Sequence, residues 1–452
     1  MRRIIAMIGL ILGLCFAAQA ADSSWSFDGA SQWTNTLRWT AGVPGIAGGS
    51  GSADVATFST ALTAARTITV DANRNIGGIT FGNTSAFGYT LNTGVIQLSN
   101  GGVIQNLAVT GAHTNTISSA IVIQGNGGNA AFTANATSGV SRLTINAVSG
   151  VSTLGNTTTL TLDGSSATTN RTVSATVNGV ISDGAAGGKL AVVKNGSGIW
   201  QLGSANNSFT GGLTINSGTL TAINSGLGNG TVTINGGALA GNSGNSRSWT
   251  NTFVIGGNFT IGATGTGATK MDGTMDLGGA IRTITTGGAT VAGHTIAAVI
   301  SNGGLIKIGS ENLTISNANT YADGTIVSSG RLIGAADSAF GTGGMTVADG
   351  ATLILTNGVS NDYISDLAML IMGTNSTLTL GFTGEDTVGG ISLDGGATWL
   401  TNGTYSASAL DALSTAAING TGSLTVIPEP ATIGMLGLGA LITLMVRRMR
   451  TR

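Results

Sequence analysis

Apolar and small polar residues alternate with a period of two along much of the chain. The segments 68–71, 143–146, 160–164, 213–215 and 231–234 show this alternation. Each run is short and is followed by turn formers such as Asn-Gly or Ser-Gly, which accept the positive φ of tight corners. Period two predicts strands, and no long helical pattern separates them. The chain is therefore predicted to be all-β, a right-handed parallel β-helix (β-solenoid) rather than a doubly wound α/β fold, with tandem β-sandwich modules as the alternative.

Two segments of the chain repeat each other, and the best copies are 187–240 and 303–355. One residue is extra near Asn207 in the alignment of the two copies. The aligned pairs include Gly196 with Gly309, Phe209 with Tyr321, Gly218 with Gly330 and Leu220 with Leu332. Internal repeats of this length predict stacked units. We assign 82–355 to the solenoid, 21–81 to an N-terminal cap with the first strands, and 356–427 to C-terminal strands.

The composition agrees with stacked coils and excludes other classes. The 452 residues include 75 Gly and 3 Pro, and 8% are charged. Without a Gly-X-Y period or abundant Pro the chain is not collagen-like, and its apolar, charge-poor composition is not typical of disorder. In a parallel β-helix, neighbouring coils lie about 4.8 Å apart. A charge repeated at the same position would face its own copy, whereas Thr, Ser and Asn can form ladders, so the scarcity of charge has a physical reason.

The net charge of −1 is unevenly distributed along the chain. Six of the 18 basic residues and one of the 19 acidic residues lie in the terminal segments, which leaves 12 basic and 18 acidic residues, a net charge of −6, between them. A nucleic-acid-binding surface would need a basic face. The sequence therefore predicts no nucleic-acid partner.

The first 20 residues have the pattern of a secretory signal peptide. Arg2 and Arg3 precede an apolar run, and Ala18-Gln19-Ala20 is a small-x-small cleavage site, which predicts a mature start at Ala21. The single cysteine, Cys15, lies inside the apolar run, so the mature chain would hold no disulfide. A lipoprotein signal modified at Cys15 is the alternative, disfavoured by the bulky residue before it.

The last 25 residues, 428–452, form a second signal. Pro428-Glu429-Pro430 is followed by 431–446, an uncharged segment that predicts a single transmembrane helix, slightly short for a bilayer. The basic residues that follow would stay in the cytoplasm and leave 21–427 outside. These basic residues are Arg447, Arg448, Arg450 and Arg452.

Motif, helix and basic tail together resemble the PEP-CTERM sorting signal of Gram-negative bacteria. The resemblance implies that an exosortase, a membrane enzyme, cleaves near the motif and passes the protein to the outer surface or the exopolysaccharide matrix. The chain would then be a membrane-anchored precursor and a substrate of that enzyme.

The repeats resemble the autotransporter-associated β-strand repeat, whose consensus contains Lys-x-Gly, then Asn-Thr-Tyr-x-Gly-Gly-Thr-x-Val, then Gly-x-Leu. Residues 319–327 are close to it and depart at Asp323, where Gly is usual, while the earlier copy has Phe209 in place of Tyr. The start and end of 21–427 also resemble exported proteins with these repeats. The N-terminal tryptophans Trp25, Trp33 and Trp39 are interpreted as a cap over the apolar core, with carbohydrate stacking as the alternative.

Catalytic and metal-binding patterns are weak. His113 and His294 stand in unrelated turn-like contexts, and no P-loop, nucleophile elbow or zinc-helix motif occurs. The carboxylates are the remaining candidates, and Asp272 and Asp276, beside Lys270, would share one face if they lay on a strand. The other candidates are Asp163, Asp183 and Asp394. Solvated loop carboxylates explain all of them better, so we expect no catalytic residue, cofactor or metal, although a single weak calcium site stays open.

The sequence thus predicts an exported structural or adhesin-like protein of the cell surface or extracellular matrix. Its partners would be the secretion machinery and exosortase during export, the membrane through the C-terminal helix, and exopolysaccharide or cell-surface glycans. The alternative is a surface polysaccharide hydrolase or lyase on the same scaffold. A self-translocating autotransporter is disfavoured, because the C-terminal segment predicts one short apolar helix instead of a series of amphipathic strands.

Overall fold

The structure is a computed structural model that describes residues 22–427. Within that range it leaves out 108–111, 125–128, 135–140, 151–152, 166–174, 186 and 289–292, and for 129–134 it describes the backbone. The predicted signal peptide with Ala18, Ala20 and Ala21 lies outside the described residues, and so does the whole of 428–452.

The described residues form short strands joined by tight corners, with one 3-10 helix, Thr36–Arg38, and one α-helix, α1, Ala407–Ala412. The N-terminal strands are β1 Ser23–Ser24, β2 Ser31–Gln32, β3 Ile46–Ala47, β4 Val55–Phe58, β5 Arg66–Thr69, β6 Arg74–Phe81, β7 Tyr89–Asn92, β8 Val95–Asn106, β9 Thr114–Ile117, β10 Ala120–Ile123, β11 Asn129–Ala134, β12 Arg142–Ile145, β13 Val148–Gly150, β14 Thr157–Asp163, β15 Ala175–Val177 and β16 Ile181–Ser182. The central strands are β17 Lys189–Lys194, β18 Ile199–Leu202, β19 Leu213–Ile215, β20 Thr219–Ala222, β21 Val232–Ile234, β22 Ala238–Gly241, β23 Arg247–Trp249, β24 Thr252–Ile255, β25 Phe259–Ile261, β26 Thr269–Met271, β27 Thr274–Thr286, β28 His294–Ile296 and β29 Val299–Ile308. The C-terminal strands are β30 Leu313–Ile315, β31 Thr325–Val327, β32 Arg331–Gly334, β33 Met345–Val347, β34 Thr352–Thr356, β35 Met369–Met372, β36 Thr377–Gly381, β37 Glu385–Val388, β38 Gly390–Ser392, β39 Gly403–Ser406, β40 Ala417–Gly420 and β41 Ser423–Val426.

Parallel pairing stacks these strands into faces of one solenoid. The first face runs β1, β4, β6, β8, β11, β14, β17, β19, β21, β24, β27 and β29. The second face runs β2, β5, β7, β9, β12, β15, β18, β20, β22, β25, β27, β29, β31, β33, β35 and β38. Because that ladder has no break, separate β-sandwich modules are excluded, and the predicted right-handed parallel β-solenoid is confirmed.

A third face completes the coil. It is formed first by β6, β8, β10, β13 and β16, and later by the sheet β23, β26, β28, β30, β32, β34, β36 and β40. As far as β28, a third-face strand follows a second-face strand and precedes a first-face strand. From β30 to β34, third-face strands alternate with the second-face strands β31, β33 and β35. The long strands β6, β8, β27 and β29 turn a corner and belong to two faces each.

The core is a continuous column of inward-pointing apolar side chains. In β19 and β21 the inward residues Leu213, Ile215, Val232 and Ile234 are at most 1% exposed, while the residue between each pair points outward and stays half-buried. Ile215 pairs with Ile234 one coil later, so identical inward positions stack directly. The period-two pattern of the sequence therefore identifies which residues point into the coil and which point outward.

Both ends of the described solenoid are covered. At the N-terminal end Trp25, Trp33 and Trp39 pack around Phe58, with the Trp25 and Trp39 ring centroids 5.1 Å apart. At the C-terminal end α1 packs on β40, and β41 pairs with β37 and β39. Within residues 22–427, as far as they are described, no helix is long and apolar enough to span a bilayer. The predicted membrane helix, 431–446, lies outside this part of the chain.

Candidate functional site

A ladder of threonines runs along the outside of the second face. Thr67, Thr90, Thr116, Thr144 and Thr176 follow each other as direct partners on neighbouring strands. All five are half-buried, as expected for outward positions in the middle of a sheet. Strand spacing puts successive hydroxyl groups about 4.8 Å apart. This ladder is a regular array of groups that both donate and accept hydrogen bonds.

Asparagines form a second kind of ladder, at the ends of first-face strands. The Asn216 side-chain amide donates to the Asn195 Oδ1 at 2.8 Å, and the Asn235 amide donates to the Asn216 Oδ1 at 2.9 Å. These exposed amides link three consecutive coils. The predicted ladders of small polar residues are therefore present in both hydroxyl and amide form.

Two polar grooves lie on the outside of the solenoid. One, of about 280 Å³, lies over the threonine ladder, and we call it the Arg142 groove. It is lined by Thr114, Arg142, Leu143, Thr144, Ala175, Thr176, Asn178 and Gln201. The other, of about 400 Å³, has an uncharged lining, and we call it the neutral groove. It is lined by Ser225, Gly228, Asn229, Gly230, Thr231, Ser248, Trp249, Thr250, Asn251 and Thr252.

The two repeat lysines are buried inside the solenoid wall. Lys194 and Lys307 are both 0% exposed. The Lys194 Nζ donates to the carbonyl oxygens of Asn195, Gly196 and, one coil later, Ser217. Burial lowers the Lys194 pKa to about 8. The ammonium group thereby joins the corner that comes directly after Lys194 to the same corner of the next coil.

Lys307 repeats this arrangement. Its Nζ donates to the carbonyl oxygen of Gly309 and, at 3.0 Å, to that of Ser329 in the next coil. Burial lowers the Lys307 pKa to about 8 as well. The Lys-x-Gly element of the repeat is thus structural, and its lysine is not available for surface chemistry. We call this arrangement, a buried ammonium group that links two stacked corners, the lysine pin.

The predicted carboxylate pair does not form a site. Asp272 follows β26, whereas Asp276 lies in β27, which begins at Thr274, so the two do not share a strand. The Asp272 carboxylate pairs with the Lys270 Nζ at 2.9 Å, and the Asp276 carboxylate accepts the backbone N–H of Gly278 at 2.7 Å. The condition for a shared face, a common strand, is not met because a corner at Gly273, with a φ of 93°, separates the two strands.

The other candidate carboxylates brace corners. Asp183 accepts the backbone N–H groups of Leu190 and Thr210, and Asp163 accepts that of Gly164. Asp394 accepts the Thr398 hydroxyl and backbone N–H, which lowers the Asp394 pKa to about 2. Asp163 and Asp394 are held within their own loops, Asp183 also joins two coils through Thr210, and the structure does not bring the three carboxylates together.

The histidines and tryptophans are also enclosed. His113 and His294 are 6% and 1% exposed and lie in different coils. Trp25, Trp33 and Trp39 are at most 5% exposed, which makes their indole faces inaccessible and overturns the alternative that they stack on carbohydrate. Among the described residues no group of three or more His, Cys, Asp or Glu side chains could hold a metal ion.

Sequence reasoning missed Asp386, which is 1% exposed at the start of β37. One carboxylate oxygen accepts the Ile364 N–H at 3.3 Å, and the other has no hydrogen-bond partner among the described residues. Burial, helped by the nearby carboxylates of Asp362 and Asp366, raises the Asp386 pKa to about 8. Its inward position in the alternation of β37 is the one signal that could have found it.

Comparison with known proteins supports the repeat assignment. Residues 192–222 and 305–333 match the model of the passenger-associated-transport-repeat. No curated protein and no solved structure matches the chain. The two matched segments begin within β17 and β29 and contain the buried lysines Lys194 and Lys307. Together with the solenoid they fit an autotransporter-like passenger domain of the surface or adhesin type.

Proposed function

We propose that this chain is a non-catalytic, adhesin-like scaffold displayed at the outer cell surface or in the extracellular matrix. The observation that carries the proposal is the position of two passenger-repeat matches within one uninterrupted second-face ladder. Such a ladder makes a long, stiff body whose outer surface carries few charges and is rich in hydroxyl and amide groups. Many weak, regularly spaced contacts of this kind suit avid binding to a repetitive polymer.

The sorting signals belong to the same proposal and rest on the sequence. The secretion machinery would remove 1–20 after Ala20. An exosortase would recognise Pro428, Glu429 and Pro430 while the helix 431–446 holds the precursor in the inner membrane. The cytoplasmic arginines 447, 448, 450 and 452 would stop transfer. Exopolysaccharide or cell-surface glycans are the proposed partners, and nucleic acid is not one.

Surface display is testable on intact cells that carry the full chain. Protease added outside should remove the protein from wild-type cells, and mass spectrometry of the surface form should find a start at Ala21 and no peptide that ends at Arg452. Replacing residues 428–430 by alanines should retain the precursor in the membrane fraction. A surface form with an intact Arg452 end would overturn exosortase processing, and protection from external protease in wild-type cells would overturn surface display.

The non-catalytic part of the proposal has its own test. The candidate carboxylates Asp272 and Asp276 are engaged by Lys270 and Gly278 and lie on separate strands. Purified protein incubated with anionic polysaccharides should release no shorter fragments and no unsaturated ends. Turnover that disappears in Asp272→Ala or Asp276→Ala would instead establish a polysaccharide-degrading enzyme.

A further inference from the structure

The Arg142 groove crosses four consecutive strands of the second face. Its walls come from β9, β12, β15 and β18, so the groove runs across the strands and parallel to the solenoid axis. Leu143 and Ala175 point into the core and are at most 1% exposed, so the outward side chains of Thr144 and Thr176 form the surface of the groove. A ligand in the groove would therefore meet the threonine ladder rung by rung, at about 4.8 Å per rung.

The lining is suited to a ligand with many hydroxyl groups. Thr144 and Thr176 supply hydroxyls, and Asn178 and Gln201 supply amides, so every polar group except Arg142 can donate or accept. Thr176 already donates to the Asn178 Oδ1 at 3.0 Å, which fixes the orientation of that amide. The rings of an extended polysaccharide follow each other at a spacing similar to that of the strands.

Arg142 adds a positive charge to the groove. Arg142 is exposed, and none of the described residues that line the groove is Asp or Glu. Among the described residues the ion pairs are Arg66 with Asp28, Arg74 with Asp71, and Lys270 with Asp272, and Arg142 takes part in none of them. A guanidinium fork matches the geometry of a carboxylate and can bind it through two parallel hydrogen bonds. In a chain with 8% charged residues, an unpaired arginine beside a hydroxyl ladder selects an acidic ligand.

We propose that the Arg142 groove binds a carboxylated polysaccharide segment, such as a run of uronic acid residues. Arg142 takes the sugar carboxylate, while Thr144, Thr176 and Asn178 hold the ring hydroxyls. The proposal deepens the surface-scaffold function and rests on it, because it names the class of polymer that the scaffold holds. The neutral groove, which has hydroxyls and amides and no charged group, lacks this selectivity.

The chain offers a matched control for Arg142. Arg331 begins β32 as Arg142 begins β12, with the local sequences Arg-Leu-Ile-Gly and Arg-Leu-Thr-Ile and the same alternation of burial. Arg331 lies on the third face and lines neither the Arg142 groove nor the neutral groove. Arg142→Gln and Arg331→Gln remove the same charge from the same kind of position, and both side chains are exposed, so both variants should fold.

Calorimetric titration of the full chain with oligogalacturonate and with neutral galacto-oligosaccharide of equal length is the test. Wild type should bind the acidic oligomer at least tenfold more tightly than the neutral one. Arg142→Gln should lose that preference, a change of about 1.4 kcal/mol per tenfold, and Arg331→Gln should keep it. Thr176→Val should weaken binding of both oligomers, because it removes a hydroxyl and no charge.

Three outcomes would overturn the groove assignment: equal affinity of wild type for both oligomers, equal loss in Arg142→Gln and Arg331→Gln, or full binding in the Arg142→Gln, Thr176→Val double variant. None of them bears on surface display, which is measured on cells. A protein that reaches the surface and fails in the titration keeps the scaffold function and loses only this ligand.

Discussion

Lys194 and Lys307 hold the same position in the repeat and each bridges carbonyl oxygens of two stacked corners, yet they lie on neighbouring faces of the solenoid. Lys194 ends β17, whose partner in the next coil is β19 on the first face. Lys307 lies in the part of β29 that pairs with β31 on the second face. The second repeat copy is therefore shifted by one face relative to the first.

The shift shows that the repeat specifies a corner and not a face. In both copies the buried ammonium bridges carbonyl oxygens of one corner and of the corner stacked on it. The shift from the first face to the second takes place between the two copies, where the third-face sheet that begins at β23 adds a strand to each coil. A repeat that encodes a pinned corner can thus be placed at any edge of a three-faced coil.

The first prediction concerns the lysine pin. Lys194→Met keeps most of the side-chain volume and leaves the carbonyl oxygens of Asn195, Gly196 and Ser217 without their shared donor. An unsatisfied buried polar group costs about 1–3 kcal/mol. We expect local destabilisation in that range, seen as amide hydrogen exchange that is about fivefold to a hundredfold faster in peptides covering 189–222.

The control for the pin lies on the same strand. Lys189 begins β17 and is exposed, so Lys189→Met should change the local exchange free energy by less than about 0.5 kcal/mol. Lys307→Met should reproduce the Lys194→Met effect in 303–334. Equal exchange rates in Lys194→Met and Lys189→Met would show that the buried ammonium does not hold the coils together.

The sequence predicted the coil well because the coil is a local pattern repeated many times. Period two identified inward residues such as Leu213 and Ile215, and turn formers identified the corners. It failed for Asp272 and Asp276 because one glycine corner decides whether two residues share a strand. The Arg142 groove was not predictable, since its lining residues are separated by whole coils whose lengths vary. Paired residues are 19 apart between β19 and β21 and 32 apart between β14 and β17.

The second prediction concerns the buried carboxyl of Asp386. Its pKa is raised to about 8 from the ordinary 3.8. Between these two values the folded chain holds a proton that the unfolded chain has released, so the free energy of unfolding falls as pH rises through that window and levels off above about 8. Hydrogen exchange in 363–392 should therefore accelerate from pH 5 to pH 8, after correction for the intrinsic rate.

Asp386→Asn should flatten this pH dependence, because an amide carries no titrating proton and still offers an oxygen to the Ile364 N–H. Glu385→Gln is the matched control on the same strand, where the carboxylate is exposed and accepts the Thr425 hydroxyl at 2.9 Å. The control should keep the wild-type slope. If Asp386→Asn keeps the wild-type pH dependence of hydrogen exchange, Asp386 is not the source of that dependence.

The third prediction tests the close approach of corners in successive coils. Gly218 has a φ of 68°, and a Cβ there would lie 2.4 Å from the Gly196 carbonyl oxygen and 2.7 Å from the Lys194 Nζ. Gly218→Ala should therefore destabilise the coil by more than the roughly 1 kcal/mol of an ordinary left-handed strain. Gly288→Ala, at an exposed site where a Cβ meets nothing within 4 Å, should cost little. Equal unfolding temperatures of the two variants would contradict the close packing of Gly218 against Gly196 and Lys194.

The fourth prediction concerns His294, which is held as a neutral ring. Its Nδ1 accepts the Thr269 N–H at 3.2 Å, and its Nε2 lies 3.0 Å from the Gly287 carbonyl oxygen, which can only accept. The proton therefore sits on Nε2, and a second proton would set an N–H against the Thr269 N–H. Burial, together with the charge of Lys307, lowers the His294 pKa. The hydrogen bond to Gly287 and the charge of Glu311 act in the opposite direction.

Because the folded-state pKa of His294 lies below the ordinary 6.5, the unfolded chain binds a proton first as pH falls. Stability of the coil from β26 to β28 should therefore be constant above about pH 7 and should fall as pH drops below about 6.5. This direction is opposite to that expected for Asp386, so hydrogen exchange resolved by peptide separates the two groups. His294→Asn should be less stable at pH 7.5 and should lose the acid dependence in 269–296. If the variant keeps the wild-type loss between pH 7 and pH 5, the acid response of this coil arises from another group.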